Sequence, residues 1–151
     1  MLSGYLHIEV IHLDKLFWEP GGFNKKRPID LVYSEIATLS QGQLWIVEGV
    51  FGELAQEFCP QADCLLWLDV DWATCSANLR KRGSDSSKQL DPQLAEENFN
   101  KLLQWAADYW QRQDLRSHRG HAALFKQFNG KKFCLTTRDE VNDFIDALNR
   151  G

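Results

Sequence analysis

No stretch of this chain approaches the roughly 18 to 20 consecutive apolar residues that span a bilayer, and its first residues show neither the charged start nor the apolar core of a secretory signal. The expected compartment is therefore the cytoplasm, with no membrane partner. C-x-x-C pairs are missing as well. Cys59, Cys64, Cys75 and Cys134 stand apart, two of them inside apolar runs, and buried reduced thiols fit that pattern better than a zinc site or a disulfide framework. His118 and His121 could share a helical face, yet no complete ligand set adjoins them, and no metal is expected there. An excess of positive charge is also lacking: 17 Lys and Arg stand against 21 Asp and Glu, a net charge of -4. This argues against a general nucleic-acid surface, although Lys25-Lys26-Arg27 and the region from Arg112 to Arg119 form local basic patches, the first read as a solvated face. Internal repeats and low-complexity tracts are absent.

What is present suits one soluble α/β domain over residues 1–151, with 44% hydrophobic and 25% charged residues. The organising stretch is Gln43-Leu44-Trp45-Ile46-Val47-Glu48-Gly49, a short apolar run that stops at a carboxylate and a glycine. Such a run fits a parallel strand covered on both faces. Two more runs share its pattern, Ile8 to Leu13 ending at Asp14 and Cys64 to Leu68 ending at Asp69. Parallel pairing would bring all three carboxylates to one carboxyl rim, the edge where open α/β sheets hold ligands. Phe17 and Trp18 follow in a turn-rich segment, placed either to cap the sheet edge or to face a substrate.

Helical spacing predicts helices from Pro28 to about Leu39, Phe51 to Phe58, Asp71 to Arg82, Leu94 to about Gln113, Ser117 to Phe128, and Arg138 to Asn149. A last strand is expected over Lys132 to Thr136. The polar, small-residue run 83–92 reads as a mobile loop. Strands linked by helices in this way predict a doubly wound α/β layer.

Ile11-His12-Leu13-Asp14-x-Leu16-Phe17-Trp18, Trp45-Ile46-Val47-Glu48-Gly49 and Leu66-Trp67-Leu68-Asp69, followed by Arg82-Gly83, resemble the adenylate-kinase-like P-loop NTPases. They also resemble a group of small bacterial proteins labelled topology modulation or adenylate-kinase-related, to which Tyr109-Trp110-x-Arg112 and Ser117-x-x-Gly120-His121 are similar too. The resemblance covers nearly the whole chain. It implies a three-layer fold, a mainly parallel sheet flanked by helices as in nucleoside-monophosphate kinases. The family's G-x-x-x-x-G-K-[ST] loop, which cradles phosphates, is not in this sequence. Against the family pattern, Met1 to Leu6 looks like the tail of the helix after that loop, as if the chain began about thirty residues late. With the first strand and its helix missing, the sheet is expected to close into four parallel strands or to take a replacement strand from another molecule.

The resemblance also implies roles. Glu48 would hold magnesium through water, and Asp14 would orient an acceptor hydroxyl or help the metal. Arg82 and Arg112 would act on the transferring group, with Arg82, Arg116 and Arg119 contacting ATP phosphates. Phe17, Trp18 and Gly49 would line the substrate, and 83–92 would form a short lid. Asp69 is read instead as a turn or capping residue. The function implied is an ATP- and magnesium-dependent phosphotransferase acting on a nucleotide or small molecule, of little activity without the phosphate-binding loop. The alternative from another class is a non-catalytic interaction module that dimerises or binds a partner through a sheet edge.

Overall fold

The computed structural model describes residues 4, 6–21, 25–83 and 92–150. Most of Met1–Leu6 and of the expected lid, 83–92, lies outside them. In chain order the elements are β1 (Val10–His12), α1 (Leu13–Phe17), α2 (Ile29–Leu39), β2 (Ile46–Glu48), α3 (Gly52–Phe58), β3 (Cys64–Leu68), α4 (Trp72–Arg82), α5 (Pro92–Ala107), α6 (His118–Gln127), β4 (Lys131–Leu135) and α7 (Arg138–Asn149). Short 3-10 turns cover Cys59–Gln61 and Asp108–Trp110.

The three-layer, sheet-dominated P-loop-like fold expected from the sequence is not what the chain forms. Helix accounts for 59% of the described residues, and the strands hold three to five residues each. They make two separate parallel pairs, β1 with β2 and β3 with β4, so the expected closure into four parallel strands does not occur. Part of the reason is legible in β1. Leu13, Leu16 and Phe17 are all buried, and their spacing is that of one helical face, so the apolar run that reads as a strand through Leu13 turns into α1 after His12.

Helix ends follow local chemistry closely. The Asp71 carboxylate accepts the Thr74 N–H at 2.8 Å to start α4, and Gly83, at φ +71°, ends it. Ser117, fully buried, caps α6 through the Gly120 N–H at 3.2 Å. Thr137 and Glu140 form a reciprocal capping box at the start of α7. Arg27, expected on a solvated face, instead ties α1 to α2: its guanidinium donates to the Leu16 carbonyl at 3.1 Å and to Glu35 at 2.7 Å.

The main core belongs to the first half of the chain. Leu13, Leu16, Phe17, Val32, Ile36, Phe51, Leu54 and Phe58 form one buried cluster between β1–β2 and helices α1 to α3. The second half buries less, chiefly Ala95, Leu103, Phe128 and Leu135. Cys64 and Cys134, expected to be buried in strands, are exposed on the β3–β4 pair, while Cys59 and Cys75 are half-buried; all four are free thiols.

Candidate functional site at the carboxyl rim

β1 and β2 run in register, Val10 opposite Ile46 and His12 opposite Glu48, and Asp14 opens α1 two residues later. Parallel pairing thus puts Asp14 and Glu48 at one rim, but not Asp69, the third carboxylate expected there, because the strand it follows, β3, pairs with β4 in a separate sheet. The carboxylate of Glu48 meets His12 Nδ1 at 2.5 Å, and Asp14 Oδ1 accepts the Lys15 N–H at 2.9 Å. Gly49 has φ +145°, and a Cβ there would lie 2.9 Å from the Leu13 Cβ. Its need for glycine comes from this close approach as well as from its backbone, whatever it offers a substrate.

Behind the rim, aromatic rings and arginines interleave. Phe17 is 7% exposed and packs against Trp18 edge-on and against Phe51, each at 4.8 Å between ring centroids. The Arg116 guanidinium lies 4.5 Å from the Phe17 ring and 4.2 Å from the Phe51 ring, and its Nε donates to Glu53 at 2.7 Å. Arg112 stacks 4.1 Å from the Trp105 ring and donates from Nη1 to both oxygens of Asp114, at 3.1 and 2.9 Å, and from Nη2 to the Arg116 carbonyl at 3.2 Å. A cleft of about 530 Å³ opens here, lined by Glu53, Trp105, Arg112, Asp114, Leu115 and Arg116.

Of the arginines expected to meet phosphate, Arg112 and Arg116 share this cleft. Arg82 and Arg119 do not line it. Arg82 closes the last turn of α4 beside Arg80 and Lys81, where cations complement the helix dipole, and Arg119 donates to Gln113. The two cleft arginines are matched by two carboxylates, so the walls are close to neutral. Glu53 Oε2 and Arg112 Nε are buried there without a hydrogen-bond partner.

Asp69, at the end of β3, meets His118 Nε2 at 3.1 Å, a tie to α6 in place of the turn or capping role expected of it. Sequence reasoning missed Glu53, Trp105 and Asp114, and no motif marks them. The signal that was available is glycine: a Cβ on Gly52 would lie 2.0 Å from the Leu115 carbonyl oxygen, and one on Gly120 would lie 2.6 Å from the Asp114 carbonyl oxygen. Both glycines let the 112–117 segment press against helices and carry its charges into the cleft. Among the described residues no helix is long and apolar enough to cross a membrane. Comparison of the chain with protein-family models, with curated proteins and with solved structures finds no match, so its function is argued from this geometry.

Proposed function

We propose that this chain is a phosphotransferase-like protein of low intrinsic activity, handling ATP with magnesium and a nucleotide or small-molecule acceptor. The observation that supports the reading is the parallel pairing of β1 and β2, which brings Asp14 and Glu48 to one carboxyl rim. Phe17 and Gly49 lie beside them, with the Arg112–Arg116 cleft behind.

The donor set suits magnesium loosely. Glu48 is 59% exposed, with one carboxylate oxygen at His12, so its other oxygen could reach a hydrated ion. Among the described residues no three His, Cys, Asp or Glu side chains gather as a protein cage. Glu48, with Asp14 near, would hold the ion by outer-sphere contact, and the ion would supply charge neutralisation on the phosphates. Asp14 would accept the proton of an acceptor hydroxyl. Arg112 and Arg116 would face the phosphates only by giving up part of their bonds to Asp114 and Glu53, which weakens binding.

Isothermal titration with ATP and magnesium is accordingly expected to give a dissociation constant no tighter than about millimolar. At about millimolar ATP, slow phosphoryl transfer to a panel of nucleoside monophosphates should fall roughly 10- to 100-fold in Glu48→Gln. No Glu48-dependent turnover with any acceptor would overturn the reading.

A second reading, an interaction module joined to a partner through a sheet edge, is favoured by a different observation. Each of the two parallel pairs has only two strands, so among the described residues every strand has an unpaired side. Leu44, Leu68 and Phe133 are 76%, 58% and 42% exposed. Light scattering after size exclusion is expected to show a dimer or larger species if this reading holds, and a clean monomer with no partner counts against it.

A further inference from the structure

One chain of hydrogen bonds runs from the second strand pair to the rim of the first. The Trp67 indole, on β3, donates to the Tyr109 hydroxyl at 3.3 Å, and that hydroxyl meets His121 Nδ1 at 2.9 Å. His121 Nε2 meets the Val50 carbonyl, two residues past Glu48, at 2.9 Å.

Each bond fixes the direction of the next. A carbonyl oxygen can only accept, so Nε2 carries the proton toward Val50, and in the neutral ring Nδ1 is then the acceptor. Tyr109 therefore gives its proton to Nδ1 and uses its oxygen to accept the indole N–H. Every donor has an acceptor in this arrangement. Add a proton to Nδ1 and the order breaks: two N–H groups now point at the Tyr109 oxygen, and the Tyr109 proton loses its acceptor.

We propose that His121 is an acid-sensitive clasp that holds the β3–β4 pair to the β2 rim while neutral and loosens its Tyr109–Trp67 side when protonated. The surroundings act in the same direction on balance. Burial holds the imidazole below its ordinary range, with the Val50 carbonyl opposing, Arg112 and His118 adding to the depression and Asp114 opposing it. Burial likewise pushes the Tyr109 hydroxyl up, so it stays a neutral donor. Of the other charged groups on packed elements, Glu53 on α3 is engaged by Arg116 and Asp69 after β3 by His118.

Because the folded imidazole binds its proton less readily than the unfolded one, the clasp contributes fully above the ordinary histidine range. Its contribution is lost as pH falls through the depressed folded value. The test is a ring-resonance titration of His121 in the full chain by NMR, assigned by the signal lost in His121→Gln. His121 is expected to titrate below the ordinary 6.5, with the Trp67 indole N–H shifting over the same pH interval. Tyr109→Phe removes the donor to Nδ1 and should move the titration upward, while flattening the loss of urea stability as pH falls below the ordinary histidine range. Titration at or above 6.5 in the wild type, or an indole signal that ignores it, overturns the clasp even if Tyr109→Phe does not fold. A folded Tyr109→Phe with an unchanged midpoint overturns it too.

Discussion

Gly52→Ala is expected to lower the free energy of unfolding by about 3 kcal/mol or more, because the added methyl has nowhere to go. It would sit 2.0 Å from the Leu115 carbonyl oxygen and 3.4 Å from the His121 ring. The nearer obstacle is backbone, which cannot turn aside as a side chain can. The gain in helix propensity from glycine to alanine, at most about 1 kcal/mol, is too small to offset this clash. Urea unfolding followed by circular dichroism measures the effect, which appears as a lower midpoint at unchanged slope. A loss below about 1 kcal/mol would mean that the 112–117 segment does not lie against α3.

Glu53→Ala is expected to cost about 2 to 3 kcal/mol by the same measurement. Removing one partner of a buried pair costs about 3 to 5 kcal/mol, and the figure is reduced here because both side chains keep about a quarter of their surface, 23% for Glu53 and 25% for Arg116. The loss comes from leaving the Arg116 guanidinium between two phenylalanine rings with no carboxylate. Glu53→Gln, which keeps an acceptor for Nε, should lose less than half as much. Equal losses in the two variants would assign the effect to helix packing.

Much of the secondary structure was legible because its signals are local. The Asp71 cap and the Gly83 stop bound α4, Pro28 precedes α2, and the Cys64–Leu68 strand ends where its apolar run ends. The sheet was not legible. Leu13 belongs by composition to the strand before it and by spacing to the helix after it, and packing against Val32 and Ile36 favoured the helix. Nothing along the sequence separates two pairs of strands from one sheet of four, since pairing joins residues far apart. At the site, parallel direction was enough to place Asp14 and Glu48 together. The partners of Arg112 and Arg116 were hidden because Glu53 lies 63 positions from Arg116, and Asp114 looks like any loop carboxylate.

The position of the main hydrophobic cluster bears on how the polypeptide acquires its shape. Every member of that cluster lies between Leu13 and Phe58, whereas β3 must wait for Lys131–Leu135 to find its neighbour. On a ribosome the segment Leu13–Phe58 can condense as it emerges, while Cys64–Leu68 stays unmatched until Lys131–Leu135 has been made. Distant pairing is slow, and the interval leaves an apolar segment open to unwanted association.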